Sequence, residues 1–271
     1  MKRYFAPRLI AWHLLVLGVA SGFVVLGVWQ LGRHAELQER NALVEERLAS
    51  TPRPYRELVP TLDPDAPEGA AADARHRPVV IEGRFLPEHE VLLRGRTLDE
   101  LPGYHVLTPL LIQGDADASG RAVLVDRGWI PFRYDEPDVP SWAPPEGRVL
   151  VLGRLQPEAD RPQGPLSAFA PRDPVEGALD TVARADVDRL QEQIPVPLDP
   201  FVVEVARVQP MLGGQDAPSA GEALPRIPPP PAPEGGPHFG YALQWFFFAA
   251  IALVGYVLLL RRRLNEAPSE G

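Results

Sequence analysis

Two uncharged apolar runs, one near each end of the chain, restrict its fold more than anything between them. From Phe239 to Leu260 there are 22 residues without a charge, closed by Arg261, Arg262 and Arg263. As a helix this run is about 33 Å long, enough to cross a hydrocarbon core. Leu9 to Gly32 is a second such run, preceded by Lys2, Arg3 and Arg8. A cleaved signal peptide ending near Gly18-Val19-Ala20 competes for it, but the apolar stretch continues through Phe23, Val24, Val25, Leu26 and Val28. An uncleaved anchor accounts for that length better. Basic residues at both outer ends place both termini in the cytoplasm and the intervening chain on the far side of the membrane. Gly18, Ser21 and Gly22 in the first run and Ala249, Ala252 and Gly255 in the second are small enough to let two helices approach, which predicts a transmembrane hairpin.

The chain between the runs is acidic. Taking the six basic and two acidic residues of the ends from totals of 27 and 36 leaves the loop at −13. It repels phosphate, which argues against nucleic acid as a partner. There is no cysteine, so disulfides, thiol redox chemistry and thiolate metal sites are excluded. His34 to Ala49 carries Leu37, Val44 and Leu48 among charged residues and suits an amphipathic helix continuing from the first span. Thr51 to Arg77 is rich in Pro, Asp, Ala and Gly and reads as a loop. Six short Val-, Leu- and Ile-rich segments follow: 79–85, 91–94, 105–112, 122–126, 149–155 and 201–208. With one helix at 185–193, they predict an antiparallel, barrel-like β domain with a few helices. Pro210 to Pro237, with Pro228 to Pro231 consecutive, reads as an extended linker that packs no core. The expected division is 1–8 cytoplasmic, 9–32 first span, 33–209 β-rich domain, 210–237 linker, 238–260 second span and 261–271 cytoplasmic tail. As a whole, the chain reads as an α+β membrane protein.

Few motifs carry chemistry. Asp115, Asp117 and Asp126 have the carboxylate spacing of a calcium loop, but strand-like flanks favour a hairpin turn there. Neither a Gly-x-Ser-x-Gly elbow nor a His-Glu-x-x-His pair nor a phosphate-cradling glycine loop is present. His34, His76, His89 and His105 stand singly in the loop, while His13 lies inside the first span, where a packing role suits it. In the stretch 123–131, Trp129 suits a core position and Asp126 and Arg127 suit pairing with one another or with the backbone; the functional reading is a docking surface for a partner. His238, Tyr241, Ala242 and Trp245 share one helical face. Taken by themselves these residues favour an aromatic belt at the membrane surface, although an imidazole in an apolar span is also a suitable axial ligand for haem iron.

Five segments together resemble a known family. Gly27-Val-Trp-Gln-Leu-Gly-Arg33, Val80-Ile-Glu-Gly-Arg-Phe85, Gly103-Tyr-His-Val-Leu-Thr-Pro109, Val125-Asp-Arg-Gly-Trp-Ile-Pro131 and Tyr241-Ala-Leu-Gln-Trp-Phe246 are similar, in content and order, to segments of the Surfeit-locus-protein-one (Surf-one) family of cytochrome c oxidase assembly factors. The resemblance implies a two-span protein of the bacterial cell membrane with its main domain outside the cytoplasm and no catalytic activity. It implies binding of haem a and help with its insertion into oxidase subunit I, with the haem-a synthase as donor and membrane lipid as surroundings. His238 then corresponds to the proposed iron ligand, with Tyr241, Trp245, Trp29 and Arg33 lining the cofactor and Arg33 near a propionate. A polar residue commonly precedes this histidine in the family; here it is Pro237. The alternative is a scaffold without haem, docking an oxidase assembly intermediate through Arg127, Gly128 and Trp129.

Overall fold

The two apolar runs fold as the longest helices of the chain. The computed structural model describes residues 7–61, 74–113, 120–134, 141–157, 173–174, 176–211 and 224–265. They divide into two compact units, Met1–Glu45 with Ala232–Gly271, and Glu46–Pro231. Asp115 to Ser119, the stretch with calcium-loop spacing, lies outside the described residues.

In the first unit, one helix spans Pro7–Ala49 and so runs the expected span and its amphipathic continuation together. The other spans His238–Asn265. Both are long and apolar enough to cross a membrane. Pro237 stands just ahead of the second helix, its carbonyl accepting from the Tyr241 N–H at 3.0 Å. A proline at a helix start lacks only an N–H that the first turn leaves unpaired.

The helices pack antiparallel along a seam with alternating steps of four and three. Between His13 and Val44, the residues withdrawn from the surface are His13, Val16, Ala20, Phe23, Gly27, Gln30, His34, Leu37, Asn41 and Val44. On the second helix His238, Ala242, Trp245, Ala249, Ala252 and Tyr256 follow the same rhythm. This spacing keeps one stripe of each helix facing the other. The small residues of the contact are Ala20, Gly27, Ala242 and Ala249, all buried. Gly18, Gly22 and Gly255 leave open space around them, which corrects the expected packing face. Spacing of small residues alone did not distinguish the inner stripe from the outer one. Outward, Leu14, Val25 and Phe247 are more than 60% exposed, a surface suited to hydrocarbon and not to water.

The second unit holds eight strands: β1 (Arg53–Pro54), β2 (Pro78–Phe85), β3 (Val91–Leu98), β4 (Leu101–Ile112), β5 (Ala122–Pro131), β6 (Val149–Pro157), β7 (Thr181–Val182) and β8 (Leu198–Pro210). They hydrogen-bond in the order β1-β2-β6-β8-β5-β4-β3-β7, and the end of β2 also pairs with β4. The pairings β2-β6-β8-β5-β4 thereby close into a ring. Its interior is filled by Val79, Ile81, Phe85, Leu110, Val123, Val151, Leu155 and Val203, all buried. A second cluster joins β3, β4 and β5 to the short helix Val187–Gln191, which is capped by Asp186 accepting from the Arg189 N–H at 3.0 Å.

Three expectations change. The sheet is not uniformly antiparallel, because β5–β8, β1–β2 and β3–β7 are parallel. Each parallel pair is separated by a connection long enough for a crossover, a feature that strand content alone does not reveal. The stretch 51–77 is not all loop: Tyr55 and Leu58, on a single helical turn, enter the core. The Tyr55 hydroxyl donates to Asp199 Oδ2 at 3.0 Å, and burial, then that carboxylate, lifts the phenol well above its ordinary range. The proline-rich stretch also packs where it is described. Leu224 joins an apolar cluster with Val106 and Ile130, and Arg226 forms a β-bridge with Trp129.

Candidate functional site

At the loop-joined end of the hairpin, the seam turns polar. Gln30 and His238 face each other, with Gln30 Oε1 2.9 Å from His238 Nδ1. An amide oxygen can only accept, so this contact places the ring proton on Nδ1 and leaves Nε2 with its lone pair. Gly236 lies against that edge: a Cβ there would stand 2.9 Å from Nε2 and 3.2 Å from Leu37. Glycine at 236 therefore keeps the free nitrogen from being capped by a side chain. One turn further along the first helix, His34 tilts against Phe239 with ring centres 5.7 Å apart. Its Nδ1 is buried without a partner among the described residues. Asn41 then closes the end by exchanging hydrogen bonds with the backbone of Glu234, at 2.9 and 3.0 Å.

Of the residues singled out in the sequence, His238 and Trp245 lie on the seam. Trp245 stacks on Phe23 at 5.6 Å. Tyr241 and Trp29 are about half exposed on the outer surface, and Arg33 pairs with Glu36 at 2.6 Å on its own helix. The hairpin thus brings the histidine and the tryptophan together and leaves the other three beside them on the outside. Sequence reasoning missed Gln30, His34, Phe23 and Gly236. A signal was present: His13, His34 and Asn41 are separated by multiples of seven, and polar residues at that interval in a long helix mark its inner stripe. At the opposite end His13 Nδ1 meets the Tyr256 hydroxyl at 2.8 Å, consistent with its expected packing role.

The stretch around Arg127 is inside the β unit. Arg127 is 6% exposed and donates to Glu90 Oε2 at 3.0 Å and to the carbonyl of Trp142, with Phe85 beneath its guanidinium. Glu90 also accepts from Thr108 at 2.7 Å and from the Trp142 indole at 2.9 Å. Burial lowers the Arg127 pKa from its usual value while Glu90 opposes that shift. Of the two pairings the sequence allowed, Asp126 and Arg127 take the backbone one, with the Gly128 N–H and the Trp142 carbonyl, and not each other; Asp126 also pairs with His105, Oδ2 to Nδ1 at 2.7 Å. A bulge between β4 and β5 causes this: residues 127 and 128 face Val106 alone, with Gly128 at φ +118°. Trp129 is buried, exchanges two 2.8 Å backbone hydrogen bonds with Arg226 and lies under its guanidinium. What reads in sequence as a docking strand is covered by the chain's own residues 224–227.

With this geometry in hand, comparison with known proteins is specific. The SURF1 family model matches residues 17–250. The chain belongs to the SURF1 family. A SURF1-like protein of Mycobacterium tuberculosis is 30% identical over 258 residues, covering 91% of this chain and 83% of the relative. A SURF1-like protein of Monosiga brevicollis is 25% identical over 267 residues, covering 94% and 89%. The cytochrome oxidase assembly protein SHY1 of Saccharomyces cerevisiae is 28% identical over 137 residues, 51% of this chain and 32% of the yeast protein. The span matched to the SURF1 family contains the Gln30–His238 pair and the Asp126–His105 pair, and it excludes the His13–Tyr256 pair.

Proposed function

We propose that this SURF1 member is a non-catalytic assembly factor for haem-a cytochrome c oxidase, which binds haem a at the polar end of its hairpin and assists its insertion into subunit I. The observation that carries the reading is His238, held through Nδ1 by Gln30 with Nε2 uncapped beside Gly236. Metal-ligating histidines characteristically have their second nitrogen fixed in this way. Family membership and the name borne by the yeast relative point to oxidase assembly. The residues present suit the group: a neutral imidazole for the iron, aromatic Trp245, Tyr241 and Trp29 for the macrocycle, and Arg33 for a propionate. Bound haem would supply an iron that accepts the imidazole lone pair. The chain's part is to hold the ring orientation and keep the surroundings apolar. In this proposal the hairpin sits in a bacterial cell membrane with both termini cytoplasmic and the β domain outside, in contact with lipid, and the haem-a synthase and oxidase subunit I are donor and recipient.

Protein purified from cells that make haem a is expected to carry a haem absorption spectrum, lost in His238→Ala and weakened about 10- to 100-fold in haem affinity in Gln30→Leu. Unchanged haem content in His238→Ala would remove His238 as ligand. Absence of haem from both proteins would support the scaffold reading, in which the chain holds an oxidase intermediate without cofactor.

A further inference from the structure

A second polar site lies in the β unit, and none of its residues is among those assigned above to haem. A cavity of about 180 Å³ is lined by His76, His105, Asp126, Arg154, Glu204 and Val205 under a roof of Pro228, Pro229 and Pro231. Four of these residues form a row across neighbouring strands. Arg154 on β6 is in register with Glu204 on β8, and Glu204 with Asp126 on β5, which pairs with His105 on β4. Two bulges flank the row, one between β4 and β5 at 105–107 and one between β6 and β8 at 152–153. Bulges re-aim side chains and recur beside functional sites. His76 completes the wall with φ +64°, a backbone conformation uncommon for a residue that is not glycine.

The hydrogen-bond inventory of this cavity is one-sided. Both Asp126 oxygens are occupied, Oδ2 by His105 and Oδ1 by the Gly128 N–H at 3.0 Å. Glu204 faces Arg154 Nη2 at 3.4 Å. On the donor side, Arg154 Nε is buried without a partner among the described residues. His76 Nδ1 is 3.0 Å from Gln156 Nε2, an amide donor, so the His76 proton belongs on Nε2. That N–H has no partner among the described residues either. His105 donates from Nδ1 to Asp126, which leaves its Nε2 with the lone pair. A buried N–H such as Arg154 Nε costs about 1–3 kcal/mol when unsatisfied, and a folded chain rarely retains one beside a cavity without something to accept from it.

We propose that this cavity is a binding site for a small oxyanion group, a carboxylate or a phosphoryl group, held by Arg154 Nε and His76 Nε2. The volume corresponds to about six waters at roughly 30 Å³ each, enough for such a group and too small for a drug-sized ligand. Glu204 is the group that weakens the site, because it competes with the ligand for the Arg154 guanidinium.

The test uses the full chain in neutral detergent with ¹³C-labelled histidine, following the imidazole C–H resonances during titration with inorganic phosphate and with acetate. Incorporation into nanodiscs of phosphatidylglycerol or phosphatidylcholine distinguishes a free oxyanion from a lipid phosphate. Saturable shifts at His76, identified by His76→Gln, are expected. Arg154→Lys, which keeps the charge but removes the Nε–H, should weaken binding about tenfold or more. Glu204→Gln should tighten it severalfold, a result no purely structural role predicts. The proposal is overturned if neither anion nor phosphatidylglycerol moves the His76 resonance saturably, or if Arg154→Lys binds as tightly as the parent. It is also overturned if Glu204→Gln weakens binding while circular dichroism shows the fold intact.

Discussion

The hairpin and the strand ring bury polar groups by opposite means. In the ring, Arg127, Glu90, Thr108 and Trp142 form one connected cluster in which a single partly buried carboxylate receives three side chains. In the hairpin the polar contacts are separate pairs, His13 with Tyr256, Gln30 with His238 and Asn41 with the Glu234 backbone, spread along a seam whose other residues, His34 apart, are Ala, Gly, Val, Leu, Phe and Trp. In the ring the charges are part of how the strands are locked together. In the hairpin the contact rests on close approach at Ala20, Gly27, Ala242 and Ala249, and the polar pairs set register. A substitution that breaks one polar contact is therefore expected to cost much more in the ring than in the hairpin.

The sharpest break of that comparison is Arg127→Leu. It strands the partly buried Glu90 carboxylate without its cation, and about 3–5 kcal/mol of stability should be lost, measured by denaturant unfolding followed by tryptophan fluorescence. Adding Glu90→Gln in the same chain should recover part of it. A loss below about 1 kcal/mol in the single variant would show that the cluster is not a unit. Next in size is a pair of glycines. Gly128 has φ +118°, and a Cβ there would collide with the backbone carbonyl of Arg226, so Gly128→Ala should cost about 1–3 kcal/mol and loosen residues 224–227. Gly27 is helical, and its added Cβ would meet only the Phe246 ring at 2.7 Å, a side chain able to turn aside. Gly27→Ala should then cost less than Gly128→Ala. Amide hydrogen exchange at Trp129 and Arg226 checks the first, and crosslinking between the helices checks the second.

What was readable in the sequence follows the same division. The cores of the six longer strands were visible because Val, Leu and Ile runs between turn residues have few other uses, while the two-residue strands β1 and β7 were not; both long helices were visible because an uncharged run of that length has almost no other use. The partnering of elements was not visible. Asp126 pairing with His105 depends on a bulge at Gly128, and Arg127 pairing with Glu90 joins positions 37 residues apart. In the hairpin, apolar residues on the lipid side and on the helix side are chemically alike, so Gly18 and Gly22 looked as suitable as Ala20 and Gly27. The polar residues were the better guide: Gln30 identified the face of His238, and its place in the first span's motif held that information. The proline-rich stretch misled because proline excludes internal strands but does not prevent Leu224 and Arg226 from covering a strand edge.

A smaller effect, on pH dependence, belongs to the ring alone. Burial, with nearby Arg75, Arg154 and Arg47, lowers the His76 pKa, while Glu204 opposes the shift. The folded chain therefore resists a proton that the unfolded chain accepts near pH 6.5. Stability from this residue is fully present above that pH and declines as the pH falls from there through the lower folded value. His76→Gln should flatten that part of the stability–pH curve. An unchanged slope would place the acid sensitivity elsewhere.

The smallest expected change is in the hairpin, at Tyr256→Phe. It removes the hydroxyl 2.8 Å from His13 Nδ1 and keeps the edge-to-face ring contact at 5.5 Å. Interhelical hydrogen bonds between apolar helices contribute about 0.6 kcal/mol on average, since each partner finds other contacts when the helices separate. Helix association measured by crosslinking should fall by no more than about threefold, far less than the loss expected at Arg127. A loss comparable to that of Arg127→Leu would mean that the hairpin also depends on a polar lock. His13 and Tyr256 would then be as structural as the buried cluster of the ring, and the contrast between the two regions would rest on their apolar surfaces alone.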